Sequence, residues 1–214
     1  ANGSSFGFDP VQGRLFDFGG YGYFTKKNWL WAYDLEEGQW TEIQENRPGI
    51  DPYPRNGQWL PTDGGRKGLL ISGIGSDTGI QREHKVRMGL PSATDVGYFT
   101  WLRDAHEFDF ASMQWTPRLD VNHPTLQHEG AMGWLEHHGV VVNWGGYIPA
   151  PRYGEEATEC DSMSAWRPDK QDGFQRLSFS GDIPPVRGGR FVQLPGGQSL
   201  LFLHGDGMWK LTLQ

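Results

Sequence analysis

The segment Leu30-Trp31-Ala32-Tyr33-Asp34-Leu35-Glu36-Glu37-Gly38-Gln39-Trp40 returns, altered but legible, as Glu107-Phe108-Asp109-Phe110-Ala111-Ser112-Met113-Gln114-Trp115. In both copies an aromatic-Asp pair opens a short polar turn, and a Trp follows seven residues after the aromatic. A β-prone run that enters such a turn and leaves it on a Trp is a hairpin, whose aromatics can cover one neighbour. A second recurrence precedes each copy: an apolar run ending in paired or near-paired glycines. These runs are Arg14-Leu15-Phe16-Asp17-Phe18-Gly19-Gly20 and Gly68-Leu69-Leu70-Ile71-Ser72-Gly73-Ile74-Gly75. The chain is therefore assembled from units, and a residue that looks special alone needs its repeat position checked first.

Composition narrows the class. Gly 31 and Pro 14 in 214 residues, with no Gly at every third position, indicate a turn-rich β chain rather than a collagen-like one. Ten Trp and 14% aromatic residues supply a core. The net charge of -7 disfavours a phosphate backbone or an anionic lipid surface, so no nucleic-acid and no membrane partner is expected. No apolar run approaches the roughly 20 residues of a spanning helix. Ala1-Asn2-Gly3 shows no signal-peptide pattern, and a start without Met reads as a processed chain or a piece of a longer one. The compartment stays unknown. Cys160 is the single cysteine, which leans towards a reducing environment. Glu155, Glu156, Glu159 and Asp161 around it oppose thiolate formation.

Four units emerge along the chain. Strands are expected at Ser5 to Phe8, Arg14 to Phe18, Trp29 to Asp34 and Gln39 to Ile43 in the first. The second has Gly57 to Leu60, Gly68 to Ser72, Tyr98 to Phe110 and Gln114 to Arg118. The third has Ala131 to Leu135, Val140 to Trp144, Met163 to Arg167 and Phe174 to Phe179. The last has Arg190 to Leu194, Ser199 to Leu203 and Met208 to Leu213, with no fourth strand. Glycine landmarks fall at Gly19-Gly20, Gly73-Ile74-Gly75, Gly145-Gly146 and Gly205-Asp206-Gly207. Two long insertions, Ser76 to Gly97 and Tyr147 to Ser162, both join a second strand to a third. Such loops on a β scaffold usually carry function.

Paired glycines after an apolar strand, then an aromatic-Asp pair with a Trp at fixed distance, resemble the kelch repeat. The first two units carry the pattern well. The third has Trp166-Arg167 for the aromatic-Asp pair and Phe174 for the Trp, and the fourth keeps Trp209. Pro52-Tyr53-Pro54-Arg55-Asn56-Gly57 and Pro184-Pro185-Val186-Arg187-Gly188-Gly189 resemble the Pro-x-Arg-x-Gly lead-in of a kelch unit. At His128-Glu129-Gly130 the Arg is absent.

The resemblance implies an all-β fold, a β-propeller of four-stranded antiparallel blades. It implies a single domain over residues 1–214, with blades at about 4–43, 57–118, 131–179 and 190–214. The last blade is incomplete, and the chain is either a ring of about four blades or a segment of a larger ring. Its open edge at Met208 to Leu213 is expected to pair with the first residues of the chain or with another chain.

Candidate sites have bland readings beside them. Trp40 and Trp115 hold equivalent repeat positions and are expected to pack between blades, whereas Trp29, Trp101 and Trp144 are less regular. His137-His138 is a turn pair, and His123 and His128 bracket a proline, so neither has the spacing of a zinc site. There is no Gly-x-Ser-x-Gly elbow. The copper site of galactose oxidase, which also carries a kelch-like propeller, needs a Cys-Tyr cross-link and a Tyr-His pair that this sequence lacks. No catalytic residue, metal or cofactor is therefore expected.

What remains is the loop face, where the resemblance places the links from second to third strands and from blade to blade. It would gather Arg55, Arg187, Tyr53, His128, Arg82, Arg87, Tyr147 and Arg152, with His84, Tyr23 and Tyr153 nearby. Arg and Tyr are enriched in protein interfaces, and related kelch propellers receive acidic or polar peptides on this face. The expectation is a non-catalytic binding module or interaction scaffold for a protein or peptide. A carbohydrate-binding or sugar-epimerase propeller and a structural segment of a larger assembly stay open beside it.

Overall fold

The computed structural model describes residues 4–20, 27–46, 52, 55–76, 99–119, 130–148, 158–170, 172–182, 184–185 and 188–213. The chain divides into two compact units, Ala1–Asn122 with Pro151–Glu155, and His123–Ala150 with Glu156–Gln214.

The first unit contains two antiparallel four-stranded sheets, each a meander in chain order. Strands β1 (Ser5–Asp9), β2 (Arg14–Phe18), β3 (Leu30–Asp34) and β4 (Gln39–Gln44) form the first. Strands β5 (Arg55–Thr62), β6 (Lys67–Ser76), β7 (Phe99–Asp109) and β8 (Gln114–Leu119) form the second. The repeated aromatic-Asp pair now has a mechanism. Asp34 Oδ1 accepts from the backbone N–H groups of Glu36 and Glu37 at 2.9 and 3.0 Å, closing the turn between β3 and β4. Asp109 does the same for Ser112, accepting from its N–H at 2.7 Å and its hydroxyl at 2.8 Å. These bonds hold both carboxyls below their usual pKa, led by the Glu37 N–H for Asp34 and the Ser112 N–H for Asp109. The left-handed residue that ends each turn is Gly38 in one copy and Met113 in the other.

The two sheets meet through an aromatic core. Phe16, Phe18, Leu30 and Ala32 of the first pack on Leu70, Phe108 and Phe110 of the second, with Trp59 and Trp115 at the margin. Burying one such side chain contributes about 1.5–3 kcal/mol. The strands approach closely at Gly7. A Cβ on Gly7 would sit within van der Waals overlap of the Trp59 indole, so β1 admits only glycine where that ring lies.

Trp115 packs between the sheets as expected, with its ring 5.2 Å from Phe18 and 4.8 Å from Phe108. Trp40 departs from the expectation. It is 49% exposed and leans on Tyr33 at 5.1 Å. The two share a repeat position, but within the first unit only Trp115 faces another sheet's apolar side, the one built from Phe16 and Phe18.

The second unit repeats the plan with variations. Strands β9 (Ala131–Leu135), β10 (Val140–Trp144), β13 (Met163–Trp166) and β14 (Gln175–Leu177) form a sheet ordered β14-β13-β10-β9. Between β10 and β13 lies a small hairpin, β11 (Tyr147–Ile148) with β12 (Thr158–Glu159). Arg167 cannot cap a turn as Asp34 does. Instead the Trp166 indole N–H donates to the Lys170 carbonyl at 2.8 Å, and Phe174 meets the Trp166 ring at 5.6 Å. Strands β15 (Arg190–Gln193), β16 (Ser199–His204) and β17 (Gly207–Thr212) form a three-stranded sheet. Its Leu200 and Phe202 join Val142, Trp144 and Met163 in a second core.

Among the described residues β17 pairs only with β16, and β1 pairs with β2 within its own sheet rather than with β17. Trp209 and Leu211 are not bare, because both pack against the second core. No helix among the described residues is long and apolar enough to cross a membrane.

Candidate functional site

The loop face is founded on the diglycine. Gly19 and Gly20 have φ of +73° and +82°, in the left-handed region that favours glycine. This geometry turns their amides outward: Gly19 N–H donates to the Trp29 carbonyl at 3.0 Å, and Gly20 N–H to the Arg55 carbonyl at 2.9 Å. Lys27 N–H closes the loop on the Gly20 carbonyl at 2.9 Å, and Arg55 N–H donates to Lys27. A side chain at Gly19 would overlap the Arg55 carbonyl. The motif therefore fastens the start of the next unit to the end of β2.

The pattern recurs at Gly145-Gly146, with φ of +65° and +87°. Gly145 N–H donates to Ser162 at 3.2 Å, and Cys160 N–H donates to the Gly146 carbonyl at 2.9 Å. Cys160 thus holds the place of Lys27. Its side chain is buried. In the second sheet the register places Ser72-Gly73 at the diglycine position, with φ of +49° and +127°. Gly73-Ile74-Gly75 had seemed the landmark, but a bulge at Ile71/Gly73 lets β6 run on to Ser76.

Arg55 was expected on an exposed rim, and that exposure is corrected: its side chain is fully buried. It makes a two-pronged ion pair with Asp104 of β7, Nη1 donating to Oδ1 and Nη2 to Oδ2, the latter at 2.8 Å. Nη1 also donates to the Ser72 carbonyl at 3.3 Å, beside the left-handed turn. His106 Nδ1 stands 3.7 Å from Asp104 Oδ2. Burial pushes the Asp104 carboxyl up, but the Arg55 charge and hydrogen bonds, with His106 adding to them, outweigh it. The result is a pKa below the ordinary carboxylate value. A planar fork against a carboxylate is the strong form of this interaction. Here it locks the bulged segment of β6 onto β5 and β7.

The other expected site residues are placed less fully. Tyr147 lies in β11, directly after Gly146, paired with Glu159. Arg187, Tyr53, His128, Arg82, Arg87 and Arg152, with His84, Tyr23 and Tyr153, fall outside the described residues. Asp104 and His106 were missed by the sequence reading. The available signal was a carboxylate and an imidazole inside the strand-forming run Leu102-Arg103-Asp104-Ala105-His106. His137 and His138 form the turn after β9, their rings perpendicular at 5.2 Å. Among the described residues no three His, Cys, Asp or Glu side chains converge as metal ligands.

No family model matches the chain, and no curated protein matches it in sequence. Among solved structures it is similar to YjhT, a kelch-repeat propeller protein, with a TM-score of 0.58 at 16% identity. The match covers 93% of this chain but spans only 57% of YjhT. At that identity the likeness speaks for the fold alone, and together with the four blade-like sheets it shows the chain to be an all-β, four-blade β-propeller.

Proposed function

We propose that this propeller is of the kelch type and acts as a non-catalytic binding module, its loop face engaging a protein or peptide. One observation carries the reading. The two long insertions leave the same repeat position, after the second strand, and each of those strands carries a left-handed pair near its end, Ser72-Gly73 inside β6 and Gly145-Gly146 directly after β10. Ser72-Gly73 is held by the Arg55–Asp104 pair, and Gly145-Gly146 by bonds to Ser162 and Cys160. A rigid base under long loops is how β scaffolds present variable contacts. Arg55 belongs to that base, and contact falls to Arg82, Arg87, Arg152, Arg187, Tyr53, Tyr147 and His128.

The test is a displayed peptide library panned on the purified chain, with selected peptides titrated directly. Arg82→Ala, Arg87→Ala and Arg152→Ala combined should weaken a selected peptide at least tenfold while the thermal midpoint stays within a degree or two. Unchanged affinity in that variant would remove the loop face from consideration. Retention of simple sugars on a glycan array, with no peptide selected, would favour the carbohydrate-directed alternative.

A further inference from the structure

Arg55 stands where the bases of two successive loops meet, both of them within the first unit. Its main chain belongs to the base on the first blade. The Arg55 carbonyl accepts from Gly20 N–H at 2.9 Å, and its own N–H donates to the Lys27 carbonyl at 3.1 Å. Gly20 and Lys27 are themselves bonded and bracket the link from β2 to β3. The Arg55 side chain belongs to the base on the second blade. Nη1 donates to the Ser72 carbonyl at 3.3 Å and to Asp104, and Nη2 donates to Asp104 at 2.8 Å. Ser72 and Asp104 lie on β6 and β7, the strands that the long link after Ser76 joins.

The backbone on either side leaves Arg55 little freedom. Ser72 has φ of +49°, a left-handed conformation that is costly for a residue with a Cβ and persists only where its surroundings fix it. The Arg55 bond to its carbonyl supplies part of that hold. Gly57 makes room for it, since an added Cβ there would lie 2.9 Å from the Ser72 carbonyl oxygen and 3.3 Å from Arg55 Cδ. On the opposite side a Cβ at Gly19 would strike the Arg55 carbonyl. A shift of the Arg55 main chain therefore drags the guanidinium, and a shift of the guanidinium loads the main chain.

We propose that Arg55 couples the two loop bases, so that holding or releasing one holds or releases the other. The element with two states is the bulge at Ser72, which is left-handed when Arg55 holds it and relaxes when the hold is lost. Such coupling is reciprocal. The device is particular to this seam, because the entry to the third sheet, His128-Glu129-Gly130, has no arginine at the corresponding place. For a partner on the loop face, a consequence that rests on the binding reading above, contact at one of these two loops is felt at the other.

Amide hydrogen exchange on the chain without any ligand tests the coupling, so its result stands apart from that of peptide selection. Arg55→Met combined with Asp104→Leu cuts the side-chain link and leaves no buried charge behind. In that variant the Gly20 and Lys27 amides, which belong to the first blade, should exchange roughly tenfold faster or more. The Leu35 amide, which donates to the Gly13 carbonyl at 3.0 Å in the same blade, should keep its rate. The reverse direction uses Gly19→Ala, which displaces the Arg55 carbonyl. Followed by carbon NMR, the Asp104 carboxyl should then titrate at higher pH, because burial, which raises it, is less opposed by Arg55. Gly13→Ala, with nothing within 4 Å of its added Cβ, should leave that titration in place. Wild-type exchange at Gly20 and Lys27 in the double variant would overturn the proposal, as would an Asp104 titration indifferent to Gly19→Ala. Equal acceleration at Leu35 would overturn it too, since that marks general loosening rather than coupling.

Discussion

Replacing Asp104 by Leu should be among the most damaging single changes in the chain, and replacing Arg55 as well should undo most of the damage. Both side chains are out of water, at 0% exposure for Arg55 and 1% for Asp104, and their opposite charges meet in a two-pronged contact. Removing one partner strands a buried charge, which costs about 3–5 kcal/mol, whereas removing both in favour of apolar residues of similar volume is often neutral or better. Against a domain stability of about 5–15 kcal/mol, either single change is severe. The assay is a double-mutant cycle of Arg55→Met and Asp104→Leu by urea denaturation at pH 7, comparing midpoints at constant slope. The pH dependence carries a sign. Because folding lowers the Asp104 pKa, its contribution is full above the unfolded value of about 3.9 and is lost as pH falls through the native value. The advantage of wild type over Asp104→Asn should therefore be flat from neutrality down to about pH 4 and shrink below it. Single variants that each lose under about 1 kcal/mol, with no coupling, would refute the claim that this pair organises the bulged segment.

Two further contrasts follow from repeat-equivalent positions. Trp115→Ala should cost about 3–5 kcal/mol, while Trp40→Ala should cost under about 1 kcal/mol. Equal losses in thermal or urea unfolding would show that the two rings share one environment. Gly19→Ala should destabilise well beyond Gly13→Ala, although both have left-handed φ. At Gly13 nothing lies within 4 Å of an added Cβ, leaving only the backbone cost of about 1–2 kcal/mol, whereas at Gly19 the Arg55 carbonyl must also move. Similar midpoints for the two would contradict the close approach of β5 to the diglycine.

How much of this was legible in the sequence follows from how local each feature is. Alternating apolar residues, turn-forming Asp and the recurring glycines specified hairpins, and strands such as Arg14–Phe18 and Val140–Trp144 appear at their expected bounds. A hairpin's register depends on residues a few positions apart, so one chain segment contains the necessary information. Side-chain environment does not work that way. Arg55 reads as a surface cation until β7 brings Asp104 against it across 49 residues of chain. Ser72 takes a left-handed glycine position because a bulge shifts the ladder around it, which no local pattern announces. Trp40 and Trp115 are interchangeable in the repeat and differ only in what lies opposite them. Periodicity thus determined the strands and the blade plan, while tertiary structure decided which equivalent residue is core, which is rim and which is an open face, because burial is a property of neighbours.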